Sequence, residues 1–389
     1  MKTAPNNALD DLVAKRKILI CVGSGGVGKT TTSAALALRA AQLGLRSIVV
    51  TVDPARRLAN ALGMEAMPNH PVNVDIGGTP EGSMDALMFH AQVTFDEVIR
   101  THAKGETERD AILNNPFYKT AASSLSGAHE YMAMERLLML HESGKYDVII
   151  LDTPPSIHAL DLLRAPDKLL NFLGSTTGRT FLRAAKAMGG RFGIFRVSGI
   201  MARGVSRFIG SDFFTDLLSF IQNFEGMYPG FKERAGRIKT LLRSSKTGFV
   251  VVHAPEEATL REAYRFDAEL KKEQMAVEGF VANKVHMTTT YDSQDIHSEL
   301  RKTTEHSEAL KAQKSEVQDI VLKKIEALDH QLEYLAQQDF LALQEIGTRA
   351  AQHDPPVPIY QVPHFTEDLH DIGGLIRFTS SASKRVSNQ

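Results

Sequence analysis

The stretch Val22–Thr32, VGSGGVGKTTT, constrains this chain more than any other. Before it, Ile18-Leu19-Ile20-Cys21-Val22 reads as a buried strand that stops at Gly23. After it, a helix-period segment starts near Lys29 and runs to Gly44, a natural left-handed cap. Between them Gly23, Ser24, Gly25, Gly26, Val27, Gly28, Lys29 and Thr30 spell G-x-x-x-x-G-K-[ST]. Glycines let backbone N–H groups turn inward around a phosphate without Cβ clashes, and the helix N-terminus adds positive dipole. Lys29 is then placed to reach β- and γ-phosphates, Thr30 to offer a hydroxyl to Mg²⁺, and Thr31 to join the nucleotide ligands. A glycine-rich turn that binds nothing is the competing reading, and it has no need of both Lys29 and Thr30.

Composition narrows the rest. A chain of 389 residues with 43% apolar content buries a large core, as one big domain or two. A net charge of −1 gives no overall pull toward nucleic acid or membrane. The polar start (MKTAPNNALDDLVAKRK) has no apolar signal core, and no run of about 18 apolar residues follows. The expectation is a cytoplasmic protein that visits a membrane, if at all, through a partner. Cys21 is the only cysteine, which excludes internal disulfides and a cysteine-built metal site within one chain.

Along the chain, strands and helices alternate. Ser47–Val52 is a β-branched strand ending at Asp53; Ala86–Phe89 reads as a short strand; 95–143 is mostly helical; and Asp147–Leu151 is a strand ending at Asp152. Residues 164–246 break the pattern, with 15 Lys+Arg against 5 Asp+Glu and many Phe and Met. Glycines and Pro229-Gly230 divide this window into short helices, so it reads as a helical insertion. Strands resume at Gly248–His253 and Gly279–Val285. From Ser293 to about Gln352 the chain is charged and helical, with Val321, Ile325, Leu328, Leu332 and Leu335 spaced 4, 3, 4, 3. That spacing fits solvated amphipathic helices packed on the core, or a short partner-binding coiled coil. A strand at Val357–Val362, Pro363 and a polar tail close the sequence. The expected fold is α/β: a P-loop NTPase with a mostly parallel sheet, helices on both faces and a helical insertion. The core is 1–163 plus 247–389, with C-terminal helices at about 293–352, and the insertion is 164–246.

Ligands of parallel sheets sit at the strand carboxyl ends, where Gly23, Asp53, Asp152, Asn283 and Pro363 all fall. Asp152 closes four apolar residues, the pattern of a carboxylate that holds Mg²⁺ directly or through water; a turn or N-cap Asp looks the same. Asp53 is either an N-cap ahead of Pro54 or a carboxylate beside the γ-phosphate that orients the attacking water.

The chain resembles the arsenite-pump and tail-anchored-protein-targeting ATPases, a branch of the deviant Walker A class. The matching pieces are GSGGVGKTTT at 23–32, TVDPARRLANALG at 51–63, DTPPSIHALDLL at 152–163 and ANKV at 282–285. The resemblance implies ATP as the nucleotide, Asp53 as the water-activating residue of switch I, and Asp152 as the start of switch II. It also implies that Asn283 binds the adenine edge, that the loop around Val362 and Pro363 covers the ring, and that the protein is a homodimer. Ser24 stands where this class usually has a lysine that reaches the partner's phosphates, and Arg56 or Arg57 is the candidate substitute cation; a solvated Arg pair is the plainer reading. Pro155-Ser156 is followed by Ile157 rather than glycine, and His158 is a structural hydrogen-bonder before it is a ligand. The Phe/Met-rich window with its basic rim offers a surface for an apolar or acidic client, or is ordinary helical core. Three functions follow: an Mg-dependent ATPase whose switches drive the helical subdomain, a nucleotide-gated scaffold with negligible hydrolysis, and a partition-type ATPase on DNA. The long insertion and the C-terminal helices argue against DNA.

Overall fold

A computed structural model describes residues 7–53, 57–77, 81–119, 128–154, 161–162, 164–168, 216, 219–220, 223–224, 226–287 and 315–385. Nine strands form one sheet: β1 (Ile18–Val22), β2 (Arg46–Thr51), β3 (Val72–Val74), β4 (Ser83–Met88), β5 (Val148–Asp152), β6 (Thr247–His253), β7 (Val277–Val285), β8 (Ile359–Pro363) and β9 (Ser383–Arg385). Their spatial order is β3-β4-β2-β5-β1-β6-β7-β8-β9. The seven inner strands are parallel, and β3 and β9 pair antiparallel at the two edges.

β1 lies centrally and is buried on both faces, as its unbroken apolar run requires. Side-chain alternation divides it between two cores. Ile18, Ile20 and Val22 face one cluster, built with α4 (Ala91–His102), α5 (Glu106–Leu113), α6 (Ala128–Glu142), α7 (Tyr228–Leu242), α8 (Glu257–Lys272) and the end of α9 (Ser315–Ala350). Leu19 and Cys21 face the other, with α1 (Asp10–Lys15), α2 (Lys29–Gln42), α3 (Arg57–Ala61) and α10 (Ile372–Ser381). Cys21 is fully buried, and burial pushes its thiol up to about 12, so it is chemically inert.

One sequence expectation is corrected here, two edge strands are added, and one open alternative is narrowed. The tail after Pro363 is not merely polar: Asp371 caps α10 by accepting from the Gly374 N–H, and Leu375 and Phe378 are buried against α2. The antiparallel edges β3 and β9, three residues each, carried too little pattern to be read. The aromatic residues at the end of the 164–246 window are core: Phe224 stacks on Phe95 and Phe220 and contacts Phe231, while Met227 and Phe231 are buried. Most of that window, 169–215, lies outside the described residues, as does 293–314.

α9 is 36 residues long. Its C-terminal half buries Leu343, Ile346 and Ala350, whereas Leu328 and Leu332 on the same stripe are more than half exposed. The heptad spacing therefore belongs to one helix whose apolar stripe runs past the body it packs on.

α6 and α7 are tied by a buried ion pair. Arg234 Nε donates to Glu135 Oε2 at 2.8 Å, with both side chains buried and the Tyr131 hydroxyl donating to Glu135 Oε1. Removing one member strands the other charge in the core. We expect Arg234→Ala to cost about 3–5 kcal/mol. The double change Glu135→Leu with Arg234→Leu should cost less. Urea midpoints of the three proteins test this, and equal losses would show that the charge left behind is not what matters.

Candidate active site

The loop between β1 and α2 is set by two close approaches. A Cβ on Gly23 would lie 2.1 Å from the Val252 carbonyl of β6. A Cβ on Gly28 would lie 2.2 Å from Asn283 Nδ2, and Gly28 has φ +90°, the left-handed region. No side chain fits at either point. Lys29, 6% exposed, turns back to donate from Nζ to the Ser24 carbonyl at 2.8 Å. Burial holds its ammonium below the usual lysine range, partly offset by the negative charges of Asp152 and Asp53. The Ser24 hydroxyl is buried with no hydrogen-bond partner among the described residues.

β1, β2 and β5 bring three chemistries to one level, because β5 pairs with both others and sets Asp152 beside Cys21 and Thr51. Asp152 Oδ2 accepts from Thr30 Oγ1 at 2.8 Å and from Thr51 Oγ1 at 2.9 Å. Its Oδ1 is buried with no hydrogen-bond partner among the described residues. Burial raises this carboxyl to about 6, against the lowering effect of the two hydroxyls. Thr153 is held by its hydroxyl on the Cys21 carbonyl at 2.7 Å. Asp53 follows β2, and Arg57 Nη1 lies 3.3 Å from its Oδ2.

Asp53, Arg57 and Thr153 line an open pocket of about 270 Å³ with Gly26, Gly28, Lys29, Thr30 and Thr31, and the fully buried Asp152 is joined to it through the Thr30 hydroxyl. The far wall is Asn60 and Ala61 of α3 and the loop Asp368–His370. The loop and the bracing hydroxyl of Thr51 were not found from sequence. Asp371 ahead of Ile372 and Leu375 was the available signal for a capped helix, and hence for a loop returning to the pocket.

The remaining candidates divide. Asn283 reaches the P-loop itself, donating from Nδ2 to the Val27 carbonyl at 2.9 Å. Val362 is fully buried in β8 and Pro363 ends that strand, so any cover for the ring falls to Pro363 and the residues after it. Arg56, Pro155–Ile157 and His158 lie outside the described residues. Gly25 and Gly26 sit exposed at the loop crest.

The unpartnered Asp152 oxygen beside the Thr30 hydroxyl is a hard-donor set that suits Mg²⁺. Among the described residues no group of three His, Cys, Asp or Glu could hold a metal alone. A cation here would need phosphate oxygens and water as its other ligands, the ordinary pattern for Mg²⁺ with nucleotides.

Comparison with known proteins decides the class. The family model for anion-transporting ATPases matches residues 16–338. The chain belongs to the anion-transporting ATPase family. It is 30% identical to ATPase ARSA2 of Chlamydomonas reinhardtii over 287 residues, 72% of each chain. It is 28% identical to ATPase GET3 of Malassezia globosa over 286 residues, covering 74% of this chain and 77% of that one. To ATPase GET3B of Arabidopsis thaliana it is 26% identical over 304 residues, 71% of this chain and 66% of the other. This anion-transporting ATPase family member is thus an ATP hydrolase on a P-loop NTPase fold. Among the described residues no helix is long and apolar enough to cross a membrane.

The raised Asp152 carboxyl makes a pH prediction. Its folded value of about 6 exceeds the ordinary 3.8, so the unfolded chain gives up its proton first. Asp152 therefore favours folding most below pH 4, and that contribution is lost as pH rises to about 6, on the order of 3 kcal/mol in all. Melting temperatures of the Mg²⁺-free and nucleotide-free protein between pH 4 and 6.5 should fall less steeply in Asp152→Asn than in the parent. Parallel curves would refute it.

Proposed function

We propose that the protein is an Mg²⁺-dependent ATPase in which Asp53 positions and deprotonates the attacking water, and in which nucleotide state drives the 164–246 subdomain. The observation that carries this reading is Asp53 lining the pocket that holds Lys29 and Thr30, with Asp152, at the end of the neighbouring strand, bound to the Thr30 hydroxyl. Gly23–Thr31 would wrap the phosphates, with Lys29 leaving the Ser24 carbonyl for the β- and γ-oxygens. Thr30 and Asp152 would hold Mg²⁺, which would neutralise charge developing on the transferred phosphoryl oxygens. Asp53 needs only a proton-accepting oxygen at hydrogen-bond distance from that water.

Asn283 supports adenine as the base. Its Nδ2 is committed to the Val27 carbonyl, and turning the amide over would set two oxygens against each other. The side chain therefore presents Oδ1, an acceptor suited to the exocyclic amine of adenine and repelled by the carbonyl of guanine. Thr31 and the loop Asp368–His370 would complete the nucleoside side.

Arg57 is the candidate transition-state cation in place of a lysine at Ser24. It is more than half exposed, sits on the Asp53 carboxylate and lines the pocket. Arg56 shares the proposal by sequence. A homodimer and an apolar or acidic protein client remain part of this reading through the resemblance, and the basic 164–246 window is where a client would bind. A scaffold with negligible hydrolysis or a DNA-partition role finds no supporting contact at the site.

Asp53→Asn should lower kcat by roughly 10²–10⁴-fold and leave the ATP dissociation constant within a few-fold. Phosphate release and calorimetric titration measure the two; undiminished turnover would remove Asp53 from the chemistry. Arg57→Ala should lower kcat by roughly 10³-fold if it supplies the cation. Near-normal rates in both Arg56→Ala and Arg57→Ala would sink that role.

A further inference from the structure

Phosphate-cradling loops work because their N–H groups point inward, which obliges the carbonyls of the same peptides to point outward and find partners. Two of those carbonyls are held from β7. Asn283 Nδ2 donates to the Val27 carbonyl at 2.9 Å, and the Lys284 ammonium donates to the Gly26 carbonyl at 3.0 Å. In a planar trans peptide the C=O of one residue is antiparallel to the N–H of the next. Holding the Gly26 carbonyl therefore aims the Val27 N–H, and holding the Val27 carbonyl aims the Gly28 N–H, into the concavity.

Consecutive residues of a regular strand point to opposite faces, so Asn283 and Lys284 could not both reach one loop. The strand is irregular at this point. Lys284 has φ +62°, one of two positive values among the described non-glycine residues, and the β7–β8 register shifts between Ala282 and Val285. Such backbone strain persists only where the surroundings hold it. They do: on the far side the His286 N–H donates to Asp339 Oδ2 of α9 at 2.7 Å, and the ring nitrogen Nδ1 lies 2.9 Å from the same oxygen. His286 also stacks on His364, whose N–H donates to the Val285 carbonyl at 2.9 Å.

We propose that Lys284 is a positioning residue for the phosphate loop: with Asn283 it clamps two successive peptides so that their N–H groups face the phosphates before nucleotide arrives. It touches no substrate in this role. The role rests on the reading that phosphates nest at Gly23–Thr30, and the two can fail separately.

The test uses the full chain with Mg²⁺-ATP and with Mg²⁺-tripolyphosphate, which has no base or ribose. Lys284→Gly removes the ammonium while relieving the positive φ. Its melting temperature without nucleotide should match or exceed the parent's, whereas both dissociation constants rise about tenfold, the effect of one charge-assisted hydrogen bond. kcat at saturating ATP should change by less than threefold, and Lys284→Arg should restore most of the affinity. Amide exchange at Val27 and Gly28 should quicken in the nucleotide-free Lys284→Gly protein. Unchanged affinity for both probes in Lys284→Gly, with binding lost in Lys29→Ala, overturns the clamp and leaves the phosphate site standing. Normal binding in Lys29→Ala overturns the site itself. A lower melting temperature in Lys284→Gly, with kcat and affinity falling together and no rescue by arginine, makes Lys284 a plain structural residue and overturns the clamp too.

Discussion

A carboxylate with no exposure to water and only one of its two oxygens hydrogen-bonded is an expensive thing to build, and Asp152 is that group. An unsatisfied buried acceptor costs about 1–3 kcal/mol, more when charged. Nothing in the packing of the two cores needs it, since the layers on either face of β5 are apolar. The cost makes sense where a cation completes the carboxylate. Lys29 shows the same feature from the other sign: its ammonium is buried, held below the usual lysine range by that burial, and rests on the Ser24 carbonyl. The unpartnered Ser24 hydroxyl is the third such group. All three lie within the sweep of one loop, and an anion with bound cation would relieve all three at once.

What levels these groups is the sheet. Parallel pairing of β5 with β1 and β2 brings Cys21, Thr51 and Asp152 abreast, so the hydroxyls of Thr30 and Thr51 meet on one oxygen. A one-residue slip of β5 would turn Asp152 toward the opposite core and exchange every apolar contact along the strand. The apolar burial on both faces therefore fixes the position of the polar tip, although no apolar residue touches it.

This division explains what could be read from the sequence. Motifs that are continuous in the chain were legible: the strand–loop–helix at 18–44, the aspartates that follow β2 and end β5, and the alternation that made the sheet parallel. A continuous motif carries its own geometry, because adjacent residues cannot be far apart. The Gly28–Asn283 approach and the loop Asp368–His370 depend on chain segments more than a hundred residues apart being brought together by strand order. The burial of Val362 was hidden for the same reason: the end of β8 was visible, but whether its last residues face the core or the crest depends on its register with β7. α10 could have been found, since Asp371, Leu375 and Phe378 have the spacing of a capped amphipathic helix, but four glycines and serines in ten residues masked it.

Two requirements meet at the tip of β7. Its glycine partner cannot be changed, because Gly28 has neither the room nor the backbone conformation for a side chain. The usual explanation of such a glycine is the approach of the phosphate. Here the approach of Asn283 is sufficient by itself, so Gly28 is required even before a ligand binds. The same amide is pinned in one orientation by the Val27 carbonyl, which fixes the polarity that a base would meet. On the proposed reading of Asn283 as the base contact, loop shape and base preference are not independent traits. A change at Asn283 that kept its acceptor but lost its donor would release the loop while leaving the base contact, and one that kept the donor would do the reverse. The coupling arises from the two ends of one small side chain.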